Sequence, residues 1–133
     1  MTDHPRRSVI AVVDDDPGML QSIESLLNSA DYEVRLFPTA TAFLENGGLP
    51  DIDCLISDVA MPFMDGLELM RAVQAARPAL PVILVTGRPE LLHRSRVDPS
   101  GPYRVFKKPF DGQELLTAVA LMLPTPRPRA PRS

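Results

Sequence analysis

The chain has 133 residues, one cysteine and a formal net charge of −3 at pH 7. This length predicts one domain, and the lone cysteine excludes an internal disulfide and fits a reducing compartment, so we expect a cytoplasmic protein. Residues 9–123 contain 9 Lys and Arg against 16 Asp and Glu, and such an acidic body does not favour nucleic-acid binding. No apolar run approaches the roughly 18–20 residues of a membrane-spanning helix, and residues 1–8 lack a signal peptide's apolar stretch.

The first part of the chain alternates strand-like and helix-like segments. Residues 9–13 form a β-branched run that is long enough for a buried strand and too short for a helix. Asp16 and Pro17 then provide the N-cap and the first-turn proline of a helix. Residues 33–37 alternate polar and apolar, which is typical of a half-buried or edge strand, and Thr39 can cap a short second helix.

Three more strands and two capped helices are predicted further along. The strands fall at residues 54–56, 82–85 and 103–106, and helix starts with an acidic N-cap and a glutamate three residues later fall at 65–68 and 111–114. Between the last two strands, the segment 88–102 is rich in proline and poor in apolar residues. A fourth helix there is predicted to be short, at about residues 89–97, or partly irregular.

Continuous apolar strands that alternate with helices predict a parallel sheet covered on both faces. Right-handed crossovers place the carboxyl ends of all the strands at one edge, where ligands bind in doubly wound sheets. We expect the domain at residues 8–123 and a flexible N-terminus at 1–7. The tail at 124–133 has four prolines in ten residues and is predicted to be disordered.

Carboxylate, hydroxyl and ammonium groups follow four of the predicted strands. Asp14 and Asp15 come after the first strand and Asp58 after the third. Thr86 follows the fourth strand and Lys108 the fifth. Each of these residues alone could be a helix cap or a solvated surface charge. Residues with such unrelated roles would not be expected to meet at one edge of the sheet, as these are predicted to do. The sequence therefore predicts a single site.

The chemistry of these groups favours phosphoryl transfer. Clustered carboxylates raise one another's pKa unless a cation lies between them, and Mg²⁺ prefers carboxylate, water and phosphate oxygens. A carboxylate such as Asp58 can act as the nucleophile and form an acyl phosphate. The metal, the ammonium of Lys108 and the hydroxyl of Thr86 would each contact one phosphoryl oxygen. The pattern thus predicts Mg²⁺-assisted transfer of a phosphoryl group to an aspartate.

These motifs resemble those of the response-regulator receiver domain of two-component signalling. The matching segments are VVDDD at 12–16, SDVAMPFMDGLEL at 57–69, TG at 86–87 and KPF at 108–110. The sequence around Asp58 is most similar to the nitrogen-fixation-regulator type of receiver. The resemblance implies a flavodoxin-like, doubly wound, five-stranded parallel sheet with the strand order 2-1-3-4-5.

The resemblance also implies a role for each residue of the site. Asp58 is the phosphoacceptor, the hydroxyl of Thr86 moves toward the phosphoryl group, and Lys108 pairs with it. The implied Mg²⁺ ligands are Asp14 (mainly through water), Asp15, Asp58 and the backbone carbonyl of Ala60. The Lys108–Pro109 peptide bond is cis in the family, which an X–Pro bond permits at modest cost.

The chain departs from the family pattern at its expected output face. Val105 stands where the family usually carries Tyr or Phe, three residues before the site lysine. We therefore hypothesise that the signal is carried by reordering of residues 88–102 and not by an aromatic rotamer. Ala60 and Arg88 border the phosphoryl group in the family and tune its lifetime.

The function implied is that of a phosphorelay receiver and not of a turnover enzyme. Asp58 would accept a phosphoryl group from a sensor histidine kinase or a histidine phosphotransfer protein, and the 88–123 face would then bind an unknown downstream partner, or the protein would act as a phosphate sink. No DNA-binding domain is expected. One alternative is a phosphorylation-independent pseudo-receiver scaffold, against which the complete acidic set argues. Another is a haloacid-dehalogenase-like phosphatase, which needs a second Asp where this chain has Ala60.

Overall fold

Five parallel strands form one sheet in a computed structural model that describes residues 7–46, 49–90, 92 and 101–123. The strands are β1 (Val9–Val13), β2 (Glu33–Phe37), β3 (Cys54–Asp58), β4 (Val82–Thr86) and β5 (Tyr103–Lys107). Their order is β2-β1-β3-β4-β5, which confirms the predicted flavodoxin-like arrangement. β3 and β4 each run to the residue predicted to follow them, so Asp58 and Thr86 are the last residues of their strands.

The helices whose bounds lie within the described residues are α1 (Pro17–Ser29), α2 (Ala40–Glu45), α3 (Gly66–Ala76) and α4 (Gly112–Met122), with a 3₁₀ turn at Leu49–Asp51. The N-caps Asp16, Thr39, Asp65 and Asp111 are confirmed, because each accepts a hydrogen bond from a backbone N–H of its first turn. The predicted fourth helix at about 89–97 falls mostly outside the described residues, as do nearly all of the N-terminal segment 1–7 and the tail 124–133. Those three expectations remain predictions.

The central strands are buried on both faces, which explains their continuous apolar sequence. In β1, Val9, Ala11 and Val13 pack with α2 and α3 on one face, while Ile10 and Val12 pack with α1 and α4 on the other. Burial of this kind stabilises the fold by about 1.5–3 kcal/mol for each large aliphatic side chain. Within the described residues, no helix is long and apolar enough to cross a membrane.

Candidate functional site

The carboxyl ends of β1, β3, β4 and β5 bring the predicted site residues to one edge of the sheet. Asp58 ends β3 and Thr86 ends β4, while Asp14 and Lys108 each follow the last residue of a strand. The register explains this convergence, because β3 pairs with both β1 and β4, and β4 pairs with β5. Four segments that are distant in sequence therefore contribute to one cluster.

Lys108 lies between two buried carboxylates. Its Nζ is 3.2 Å from Oδ2 of Asp14 and 3.5 Å from Oδ1 of Asp58. The Asp58 side chain is nearly closed off from solvent, since the residue is only 7% exposed. The backbone N–H of Ala60 also lowers the pKa of this carboxylate and so favours its ionised form. The Lys108–Pro109 peptide bond is cis, as the resemblance implies.

Asp15 completes a cluster of three carboxylates. One oxygen from each of Asp14, Asp15 and Asp58 lies within 4.8 Å of the others, and of the three only Asp15 is exposed. Oδ1 of Asp14 accepts a hydrogen bond from the backbone N–H of Asp16 at 2.9 Å, which helps to orient this carboxylate. Hard oxygen ligands grouped at this spacing fit a hard divalent cation. The cluster is therefore a candidate metal site.

The pKa values of the cluster reflect its burial. Burial raises the pKa of Asp14 and of Asp58 above the ordinary value of 3.8, and the charge of Asp14 raises that of Asp58 further. The Lys108 ammonium and the backbone N–H groups of Asp16 and Ala60 oppose these shifts. Burial alone would lower the pKa of Lys108, but the two carboxylates outweigh it and the pKa rises above 10.5. The site thus holds more negative charge than one lysine balances.

Thr86 is fully buried and connects the site to the segments on either side of it. Its hydroxyl oxygen accepts the backbone N–H of Arg88 at 2.8 Å. Its carbonyl oxygen accepts the backbone N–H of Lys108, also at 2.8 Å. A movement of Thr86 would therefore change the positions of both Lys108 and Arg88, the latter at the start of the segment that follows β4.

β5 does not place an aromatic ring beside Thr86. Val105 pairs with Leu84 in the register of β4 and is 37% exposed. Phe106 is buried with α1 and α4 on the opposite face of the sheet, where Arg104 lies over its ring at 5.6 Å. Phe106 therefore does not occupy the place of the aromatic side chain that the family usually carries at the position of Val105. Most of the segment 88–102, on which the alternative hypothesis depends, lies outside the described residues.

The loop between β3 and α3 contains a feature that the sequence reasoning missed. Phe63 is almost completely exposed and has a φ of 71°, in the left-handed region. The signal was present in the sequence, because Phe63 stands in a Pro-Phe-Met-Asp-Gly turn where a glycine or asparagine would be usual. Periodicity does not reveal such a position, since the loop has none.

The family profile of the response regulator receiver domain matches residues 10–120. This chain belongs to the response regulator receiver domain family. Receiver domains accept phosphate from histidine kinases and are not turnover enzymes, so the phosphatase alternative does not apply. The chain is therefore a receiver domain with an acidic pocket formed by Asp14, Asp15 and Asp58.

Curated proteins include several similar receivers. The chain is 36% identical over 118 residues to the response regulator protein TmoT of Ectopseudomonas mendocina, covering 89% of this chain and 54% of TmoT. It is 33% identical over 123 residues to the transcriptional regulatory protein FixJ of Bradyrhizobium diazoefficiens, covering 91% of this chain and 59% of FixJ. This receiver domain thus spans a little over half the length of these relatives.

Solved structures support the same assignment. The signal receiver domain of an HD domain-containing protein from Pseudomonas fluorescens Pf-5 superimposes with a TM-score of 0.79 at 32% identity, covering 88% of this chain and 94% of that one. The BeF3-activated DrrB receiver domain gives a TM-score of 0.75 at 28% identity, covering 88% and 97%. In both comparisons the likeness covers 88% of this chain.

Proposed function

We propose that this receiver domain is a phosphorylation-controlled switch in which Asp58 accepts a phosphoryl group from a phosphohistidine. The observation that carries the proposal is the position of Lys108, whose ammonium lies 3.2 Å from Asp14 and 3.5 Å from Asp58 inside a cluster of three carboxylates. A structural ion pair needs one partner carboxylate. Here the ammonium contacts two, and a third carboxylate, that of Asp15, lies within 4.8 Å of them, which leaves negative charge for a metal ion to balance.

Asp14, Asp15, Asp58 and the carbonyl oxygen of Ala60 would hold Mg²⁺. When bound, the metal supplies a positive charge that neutralises a phosphoryl oxygen during transfer. An oxygen of Asp58 attacks the phosphorus, the P–N bond of the donor breaks, and its electron pair returns to the imidazole. The Lys108 ammonium neutralises a second phosphoryl oxygen and the Thr86 hydroxyl donates a hydrogen bond to a third.

The donor would be a sensor histidine kinase or a histidine phosphotransfer protein in the cytoplasm. The DrrB receiver domain, which is similar in structure, is activated by BeF3. Because BeF3 mimics a phosphoryl group, this supports phosphorylation of the equivalent site in the present chain. The output would be a change on the 88–123 face, of which β5 and α4 are described, or the protein would act as a phosphate sink. We keep residues 8–123 as the proposed extent of the domain.

The test uses acetyl phosphate, a small donor that needs no partner protein. We expect the full chain to acquire a labile acyl phosphate with Mg²⁺ and no label after chelation of the metal with EDTA. Asp58→Asn should abolish labelling. Asp65→Asn is the matched control, because Asn caps a helix as well as Asp and Asp65 lies outside the carboxylate cluster. Absence of Mg²⁺-dependent labelling of the unaltered chain would favour the pseudo-receiver scaffold instead.

A further inference from the structure

An apolar groove lies between α1 and the turn that leads into α4. It has a volume of about 330 Å³, and Met19 and Leu26 of α1 line it together with Phe110 and Gly112. The side chains of Met19, Leu26 and Phe110 are each only partly buried where they pack against the core. The groove therefore has apolar surface that the core does not cover.

Charge distinguishes this groove from another one beside β5. The groove beside β5 is lined by the cation of Arg104, whereas none of the described residues that line the groove between α1 and α4 is Lys or Arg. Exposed carboxylates stand close to the latter, because it is lined by the first turns of two helices whose N-caps are Asp16 and Asp111. This groove thus fits an occupant that is apolar on one side and positively charged on another.

The segment that follows α4 has this chemistry. Residues 124–133 contain four prolines, three arginines and no acidic residue. Such a sequence favours the polyproline II helix, which has three residues per turn, so that Pro128 and Pro131 share one edge. Arg129 and Arg132 share the next edge. Although this segment has no core of its own, its proline edge can enter an apolar groove while its arginine edge faces carboxylates.

The end of α4 gives the segment a suitable start. Leu123 has a φ of −62° and a ψ of 143°, which is close to polyproline II, and it is partly buried on the side of the core formed by α1 and α4. The 11 residues of α4 span about 16 Å from Gly112. Five residues of polyproline II also rise about 16 Å. A segment that folds back along α4 therefore brings Pro128 level with Gly112, beside the groove.

We propose that residues 124–132 fold back along α4 and occupy this groove, with the proline edge on its apolar wall and the arginine edge toward Asp16 and Asp111. Proline loses little backbone freedom on binding, and a segment joined to the end of α4 has a high effective concentration at the groove. Pro109, which follows Lys108 of the acidic site, also lines the groove. The bound segment thus covers the surface next to that site.

A nitroxide spin label on the segment locates it in the full-length chain by nuclear magnetic resonance. Ala130→Cys places the label on the third edge of the polyproline helix, away from the two edges that bind. Cys54 does not compete for the reagent, because it is buried and burial raises its pKa to about 12. We expect the amide signals of Ser22 and Gly112 to lose most of their intensity. The signal of Arg71, on α3 at the opposite face of the sheet, should keep its intensity.

Ser22→Arg tests the groove itself, because it puts a bulky cation at an exposed position that lines it, and arginine is a good helix former. This variant should restore the Gly112 signal. Ser25→Arg is the matched control, since Ser25 is exposed on the same helix and is not among the residues that line the groove, so the loss at Gly112 should persist.

Four results would overturn the inference. One is an unchanged Gly112 signal in the spin-labelled chain, and another is a loss that is largest at Arg104, beside the other groove. Equal effects of Ser22→Arg and Ser25→Arg would show that charge on α1 acts without the groove. A loss of the Gly112 signal in an isotope-enriched chain without the label, mixed with spin-labelled chains, would assign the groove to the tail of a second copy. No phosphodonor is present, so the result is independent of the proposed function.

Discussion

Gly66 lies against the backbone of Asp58, so closely that a Cβ atom at Gly66 would collide with the carbonyl oxygen of Asp58. The first residue of α3 is thus packed on the last residue of β3 with no space between them. This contact fixes the loop that carries Ala60 and Phe63, and it makes the start of α3 part of the support of the site.

Gly66→Ala is therefore expected to destabilise the protein by about 1–3 kcal/mol, because the atom in the way belongs to the backbone and has no rotamer to change. Thermal or urea unfolding of the variant measures this. Gly87→Ala is the matched control, since a Cβ at Gly87 meets no atom within 4 Å. Equal stability of the two variants would show that the strand and the helix separate easily.

Lys108→Ala is expected to destabilise the protein by roughly 1–3 kcal/mol at neutral pH, because Asp14 and Asp58 would remain buried without their cation. Millimolar Mg²⁺ should restore part of this loss. Lys107→Ala, an exposed neighbour on β5, should change the free energy of unfolding by less than about 0.5 kcal/mol. A Lys108→Ala protein as stable as the Lys107→Ala protein would mean that Lys108 is not needed to balance the carboxylates.

Asp58→Asn is expected to stabilise the metal-free protein at pH 7, because burial and Asp14 raise the pKa of Asp58 and so penalise the ionised form. A raised folded-state pKa means that the penalty is present above that pKa and disappears as the pH falls toward the ordinary value of 3.8. The difference in stability between the variant and the unaltered chain should therefore shrink with falling pH. A difference that grew on acidification would contradict the direction of the shift.

Mg²⁺ is expected to raise the melting temperature of the unaltered chain, by the equivalent of about 2.7 kcal/mol when its concentration is about 100-fold above Kd. Asp15→Asn should remove most of this increase and leave the metal-free stability nearly unchanged, because Asp15 is exposed. Asp16→Asn is the control, since Asn keeps the N-cap of α1. An unchanged Mg²⁺ response in Asp15→Asn would exclude Asp15 as a ligand.

Much of the fold could be predicted because it depends on local patterns. The continuous apolar run 9–13 indicates a strand that is buried on both faces. Acidic N-caps such as Asp65 accept hydrogen bonds from N–H groups only two or three residues away. The convergence of Asp14, Asp58 and Lys108 also follows from the direction of parallel strands. The strand order itself came from the resemblance, because alternation alone does not specify it.

Other features depend on distances that no local pattern contains. Gln74 was not singled out, yet it is buried and its side chain bonds the carbonyl oxygens of Leu80 and Pro102 and the N–H of Gly101. A glutamine on a helix is usually solvated, and only the packing of α3 beside β4 shows this one to be enclosed. The turn at Phe63 differs, because its Pro-Phe-Met-Asp-Gly context was visible in the sequence, although no periodicity marks its positive φ.

The most direct test of the central claim is to locate the phosphoryl group on the chain. After reaction with acetyl phosphate and Mg²⁺, the acyl phosphate is reduced with borohydride, which converts the modified aspartate to homoserine, and the peptides are sequenced by mass spectrometry. The account predicts homoserine at position 58 and none at positions 14 or 15. Modification at Asp14 or Asp15, or an unmodified residue 58 in a chain that has been labelled, would contradict it.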